Sequence, residues 1–213
     1  MNIRLENEND YLKVENLARN SFWNVYRPGA YEHYIIHNLR KDSCFIEDLA
    51  YVIEKDGEII GQISYSIGKI TFENGEHEDA VVLGPVSIDK NQQNKGYGSK
   101  LIEYSLNIAK EKDIPFIFLI GDENYYQRFG FESASKYDLF LEGTDTDDEC
   151  PFFMIRIFNP DKIKSNGIFS NPKVFDVDEN DVDEFDKNFE FKEKKVIEGQ
   201  LDLWVCKNEI SDY

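Results

Sequence analysis

The sequence predicts an α/β (α+β) fold, a mixed central sheet flanked by helices, with an extension behind it. Three observations carry that prediction. Short runs alternate apolar with polar residues and end at turn dipeptides; apolar stripes at helical spacing lie between them. Over residues 80–120 the order is strand, helix, strand, which requires a parallel pairing through a crossover. With 213 residues, 41% hydrophobic and 14% aromatic, the chain holds apolar material for one buried core and an appendage, not for two domains.

The elements follow in order. Ile3 and Leu5 alternate with polar neighbours in a short strand over 2–6, and Asp10 is expected to cap a helix whose stripe is Tyr11, Val14, Leu17, Ala18 and Phe22. After the Pro28-Gly29 turn, Tyr31, Ile35 and Leu39 recur every four residues, with Tyr34 and Ile36 widening a second amphipathic stripe. Residues 51–54 and 58–67 read as strands joined through Asp56-Gly57, and Asn74-Gly75 marks the next reversal. A buried strand over 80–89 follows. Next come a helix over 98–110, with Leu101, Ile102, Ser105, Leu106 and Ala109 inward, and an apolar strand over 116–120. The acidic run 142–149 reads as a solvated loop, and 152–158 as another strand. The expected division is a domain over 1–158 and a C-terminal extension over 159–213. Within the extension, Val182, Phe185 and Phe189 share one helical face, and Val174, Phe175, Leu201, Leu203 and Trp204 need cover, so the extension is expected to dock on the domain.

Charge removes whole classes of function. Against 24 Lys+Arg stand 42 Asp+Glu, a net charge of −18 and the wrong sign for wrapping nucleic-acid phosphates. The strongest apolar stretch, 114–120, is interrupted by Pro115 and far short of the ~20 residues of a membrane span. The N-terminus lacks the apolar core and cleavage site of a secretory signal, so a cytoplasmic location is expected. Cys44, Cys150 and Cys206 are far apart without C-x-x-C spacing and read as reduced thiols.

Chemistry concentrates in residues 83–101. Gly84-Pro85 interrupts a strand where proline cannot donate to the ladder, so the strand should kink and open a gap in the sheet. Residues 93–98 then form a glycine-bearing loop running into a helix, where free N–H groups and the helix dipole favour a phosphate. Lys90, Lys95 and Lys100, with no acid among them, make a local basic island. The G-x-x-x-x-G-K-[ST] pattern is absent, and Leu101 stands where a dinucleotide fingerprint wants a third glycine.

Gln93-x-x-Gly96-x-Gly98 resembles the Q/R-x-x-G-x-G/A pyrophosphate loop of the GNAT superfamily of N-acetyltransferases, and the kinked strand before it resembles that family's splayed acetyl-CoA strand. Residues 119–131, with Tyr126 four residues before Gly130-Phe131, resemble the family's later motif. The wording L-G-P, then G-D-x-x-Y-Y-x-R-F-G-F, is similar to the YhbS-like branch. With Glu32, Leu39-Arg40 and Gly61-Gln62-Ile63, the resemblance covers residues 1–158. It implies the GNAT fold with a splayed strand pair, and acetyl-CoA as cosubstrate with no metal. It also implies an acetyl group passing to a primary amine by direct attack in a ternary complex. Main-chain groups of Val86 and Ile88, flanking Ser87, would pair with the pantetheine arm. Gln93, Asn94, Lys95, Gly96, Tyr97, Gly98 and Ser99 would wrap the pyrophosphate, and Tyr126 would protonate the departing thiolate.

Several alternatives stay open at this level. The base that deprotonates the amine is Asp122, Glu123, Glu32 or a water chain. His33 and His37 are four apart, yet the H-E-x-x-H glutamate and a third ligand are missing. Residues 176–180 open like a calcium loop, but Asp181 and Lys187 stand where glycine and glutamate are required, so they read as a turn into an acid-capped helix. A competing function is a non-catalytic acyl-CoA-binding or regulatory module. The acidic balance favours a cationic acceptor such as a polyamine, a lysine side chain or an aminosugar.

Overall fold

In the computed structural model, residues 1–146, 150–198 and 200 are described. The strands are β1 (Asn2–Leu5), β2 (Tyr51–Lys55), β3 (Glu58–Phe72), β4 (His77–Ile88), β5 (Phe116–Ile120), β6 (Glu132–Ser133), β7 (Leu139–Leu141), β8 (Phe153–Ile157) and β9 (Gly167–Ser170). The helices are α1 (Tyr11–Phe22), α2 (Glu32–Leu39), α3 (Tyr97–Glu111), the single turn α4 (Glu123–Tyr126) and α5 (Glu179–Asp186). The strands make one mixed sheet in the order β1-β2-β3-β4-β5-β8-β6, with β9 beside both β3 and β7. The expected parallel crossover is present: β4 and β5 pair parallel, with α3 between them in sequence.

Strand alternation sorts the core onto two faces. Val52 points to α1 and α2, packing with Val14, Ala18 and Ile36. Its neighbours Tyr51 and Ile53 point the other way, against Leu101, Ile102 and Ala109 of α3. At the far end of the sheet the core is made of rings: Phe118 stacks on Phe153 at 5.1 Å and meets Phe169 at 4.8 Å.

Three expectations change. Asp10 does not cap α1; its carboxylate is held by Arg4 at 2.6 and 2.9 Å, while Asn7 and Asp10 form a capping box on the turn before the helix. A buried-edge guanidinium outcompetes the helix N–H groups for a charged oxygen. Cys150 is disulfide-bonded rather than a free thiol; Cys44 is free, its thiol pushed up to about 12 by burial. β9 lies beyond residue 158 yet pairs antiparallel with β3 from Lys69↔Ser170 to Phe72↔Gly167, so the sheet itself extends past the expected division.

The rest of the extension packs on α1 and α2. Val182 is buried, and Phe185 sits 4.5 Å from the His37 ring and 5.2 Å from Tyr34. Asp186 takes a bidentate pair from buried Arg19 at 2.5 and 2.8 Å and lies 3.2 Å from His33 Nε2. Burial pushes His33 down to about 4 against the pull of Asp186, leaving it neutral at pH 7. Leu201, Leu203 and Trp204 lie outside the described residues.

Phe169→Ala is expected to lower the unfolding free energy by about 3–5 kcal/mol in urea titrations, because it empties a ring-packed site. A loss below about 1 kcal/mol would mean that β9 is peripheral to the folding unit.

Candidate functional site

The sheet opens where the sequence breaks. Between the pairs Ile63↔Val86 and Tyr65↔Leu83, β4 spends two residues, Gly84 and Pro85, against the single Ser64 of β3. This is a β-bulge, with Gly84 at φ 139, a backbone angle that favours glycine. The β4–β5 ladder has two rungs, Val81↔Ile117 and Val82↔Phe118, and stops just ahead of the bulge. Beyond it the strands part.

The bulge is fixed from β3. Buried Gln62 donates through Nε2 to the Pro85 carbonyl at 3.1 Å and to Ser87 Oγ at 2.9 Å, and its Oε1 accepts from Ser64 Oγ at 3.1 Å. Ser87 therefore turns its side chain away from the gap. The hydrogen bond from Asp89 N–H to Ile60 O sets the phase of the ladder: Gln62↔Ser87 is a bonded pair, whereas Ile63↔Val86 and Gly61↔Ile88 are not. The main-chain groups of Val86 and Ile88 thus face the gap, as expected for a strand edge offered to an extended ligand. The Ile88 carbonyl already accepts from Ser21 Oγ at 2.9 Å and from Gln93 Nε2 at 3.1 Å.

Next to the gap, the loop before α3 frames a cavity of about 370 Å³ lined by Gln93, Asn94, Gly96, Gly98 and Ser99 together with Arg128. Gly96 is the N-cap at φ 81, a left-handed angle, and no side chain caps the helix, so the first-turn N–H groups are left for an anion. Lys95 bends back to donate to the Asn91 carbonyl at 2.6 Å, and Tyr97 packs into the core with Lys55 Nζ 5.5 Å from its ring. Those two residues can serve the loop through their main chain; their side chains turn elsewhere. Arg128, over the Tyr125 ring at 4.7 Å, brings a cation to the cavity that the sequence reading left without a role. Its presence in the quoted motif was the available signal.

Tyr125 also stands in the wall of a second cavity, of about 470 Å³, formed where β4 and β5 part. Gly84, Pro85 and Val86 line one side, and Gly121, Asp122 and Tyr126 another. The Tyr126 ring lies so close over Gly121 that a Cβ there would sit 2.4 Å from it, so glycine is required for the phenol to reach the gap. Burial holds the Tyr126 phenol well above its ordinary value, which keeps it protonated.

Across the cavity stand Phe22, Tyr26, Arg27 and Glu32 from α1, α2 and their connection, with Asn171 and Phe175 from the extension. The Glu32 carboxylate is raised by burial, against the Tyr31 N–H that it accepts at 3.0 Å and the charge of Arg27. The three acids left open by sequence now separate. Asp122 lines the cavity but caps α4 through Asn124 N–H at 2.9 Å; Glu123 is exposed and not among the lining residues; Glu32 is in the wall, its carboxyl raised by burial. His33 and His37 are engaged by Asp186 and Glu15. Asp178 caps α5 through Asn180 N–H at 2.7 Å, and among the described residues no group of three or more His, Cys, Asp or Glu is arranged to hold a metal. Nor, among those residues, is any helix long and apolar enough to cross a membrane.

The chain is similar to known proteins in sequence and in fold. Residues 13–131 match the acetyltransferase (GNAT) family. The uncharacterized N-acetyltransferase YhbS of Escherichia coli K12 is 28% identical over 139 residues, 65% of this chain and 78% of that protein. The crystal structure of E. coli YhbS in complex with CoA superposes with a TM-score of 0.69 at 26% identity, covering 83% of this chain and 92% of that one. A GNAT family acetyltransferase from Brucella melitensis in complex with acetyl-CoA gives a TM-score of 0.64 at 26% identity, covering 82% and 97%.

Acetyl-CoA at ~100 times its dissociation constant is expected to stabilise the chain by about 2.7 kcal/mol, visible as a raised melting temperature. Gly96→Glu, which puts bulk and negative charge at the open helix end, is expected to lose that rise; an undiminished rise in the variant would remove the α3 loop as the anion site.

Proposed function

The chain belongs to the acetyltransferase (GNAT) family, and from that premise we propose that it transfers the acetyl group of acetyl-CoA to a primary amine by direct attack within a ternary complex. The observation that carries this reading is the single cavity that has the open edge of β4 and the Tyr126 phenol on one side and the raised Glu32 carboxylate on the other.

Each group has one task. Glu32 takes a proton from the incoming ammonium, directly or through one water. The amine nitrogen then bonds to the thioester carbonyl carbon, and a main-chain N–H on the gap-facing edge of β4, at Val86, donates to the oxygen on which negative charge grows. As the C–S bond breaks, Tyr126 O–H donates its proton to the sulfur, the nitrogen sheds its second proton to water to become the amide, and the phenol is reprotonated from solvent. The balance is one amide, one free thiol and one proton released. Acetyl-CoA would lie with its pyrophosphate at Gln93, Asn94, Gly96, Gly98 and Ser99, joined by Arg128. Its pantetheine amides would lie along Val86 and Ile88, which supports an extended ligand taking the place of the missing β4–β5 rungs. No metal takes part.

The pH dependence follows from the signs. A carboxylate raised above its ordinary value is protonated over more of the acid range, so kcat/KM should fall as pH drops through that raised value, above the usual carboxylate range. Glu32→Gln is expected to lower kcat by about 10²–10⁴-fold and to erase that acid limb, read by release of free CoA thiol. Activity within about twofold of wild type would move the base role to water. Tyr126→Phe is expected to lower kcat by about a hundredfold with acetyl-CoA affinity retained; unchanged turnover at saturating acetyl-CoA would take the proton-donor role from the phenol. A protein that binds acetyl-CoA yet releases no thiol with any amine is a binding module, and the reading fails.

A further inference from the structure

The far wall of the reaction cavity comes from chain beyond the matched family segment. Asn171 and Phe175 line it, whereas the match ends at residue 131. They sit on a short stretch tied down at both ends. On one side β9 is a strand of the sheet, with Phe169 fully buried among rings. On the other, α5 is held to α1 and α2 by Asp186 on Arg19 and by Phe185 against Tyr34 and His37. The chain continues along α1, where Trp23 Nε1 donates to the Glu193 carbonyl at 3.1 Å and Gln200 Nε2 to the Asn24 carbonyl at 3.0 Å. Phe175 itself closes a hydrogen-bonded turn onto Pro172 O at 3.0 Å. A backbone held in this way keeps Phe175 in the wall of the cavity.

We propose that Phe175 and Asn171 form the specificity wall of the acceptor pocket, and that the acceptor is a small primary amine carrying a flat apolar group, an arylalkylamine in chemical class. The proposal rests on the acyl-transfer reading above. A cavity of about 470 Å³, shared between the acetyl end of the cosubstrate and the acceptor, is the size that holds small molecules. Its acceptor end presents three rings, Phe22, Tyr26 and Phe175, beside the buried Ile35. The carboxylate among them is Glu32, raised by burial in spite of the charge of Arg27, and an ammonium beside it would favour its ionised form. Rings at one distance and a carboxylate at another suit an aromatic body with an amine on a short arm. A polyamine would set a second ammonium in the pocket with the Arg27 guanidinium, a like charge in the same wall, and a peptide would need room for its backbone on both sides of the amine.

The test measures phenethylamine binding to the CoA-saturated protein by calorimetry, alongside free-thiol release with acetyl-CoA, and with spermidine and an alanyl tripeptide as comparison amines. Phenethylamine is expected to bind more tightly than either, and Phe175→Ala to weaken it about tenfold or more while leaving the acetyl-CoA affinity unchanged. Phe175→Leu, which keeps an apolar filler, should give an intermediate loss and guards against a misfolded alanine variant. Phenethylamine affinity within about twofold of wild type in both variants, or tighter binding of spermidine or the peptide, overturns the proposal. Binding that depends on Phe175 without thiol release from any amine upholds the wall and overturns acyl transfer, so the two failures are told apart.

Discussion

One register fault organises this molecule. Because β4 spends Gly84 and Pro85 where β3 spends only Ser64, its remaining residues leave the direction of β5, and the β4–β5 ladder ends after two rungs. Backbone polar groups at such an opening must be satisfied or must face an exchangeable partner. Gln62 satisfies the inner one, the Pro85 carbonyl, while Val86 and Ile88 keep theirs toward the gap. The same break makes the cavity, gives a ligand a strand edge to pair with, and leaves Tyr126 facing the space where a third rung would have been. Ile88 adds a mechanical link: its carbonyl accepts from both Ser21 of α1 and Gln93 of the loop, so that helix and that loop share one oxygen.

The electrostatics of the cleft are local, in spite of a net charge of −18. Screening confines exposed charges to about 8 Å at physiological salt, so the groups at each end decide what binds there. At one end stand an uncapped helix N-terminus and Arg128; at the other, a carboxylate that burial has made reluctant to ionise. The two ends therefore differ: one offers free N–H groups and a cation, the other a buried carboxyl beside Arg27. Lys95, the central charge of the basic island in the sequence, folds onto Asn91 O, so its ammonium is spent on holding the loop's shape.

Most of the fold was legible because its signals are short-range. Asp56-Gly57 and Asn74-Gly75 dictate their hairpins, and the stripe Leu101, Ile102, Leu106 and Ala109 buries the face of α3 that period 3.6 selects. The Gly84-Pro85 break and the uncapped start of α3 were readable for the same reason. What escaped depends on distant partners. Nothing near Asp10 announces that Arg4, which also donates to Glu54, will hold its carboxylate, and nothing near residue 167 says that β3 has a free edge at Lys69–Phe72. Glu32 was one of three acids left open until the fold placed it in a cavity wall, and Phe175 is a ring without local periodicity to mark it. The sequence shows which groups carry chemistry; tertiary placement decides which of them share a space.

The ring packing at the far end of the sheet separates two units that a sequence comparison would treat as one. The matched segment closes at residue 131, but β5, near its end, is covered by β8 at Phe153–Ile157, and Phe118 forms a three-ring cluster with Phe153 of β8 and Phe169 of β9. A chain trimmed to the recognisable family segment would present β5 as a raw sheet edge with a phenylalanine face turned to water, the surface on which proteins aggregate. In this molecule the segment that matches the family, 13–131, is shorter than the sheet, which reaches Ser170.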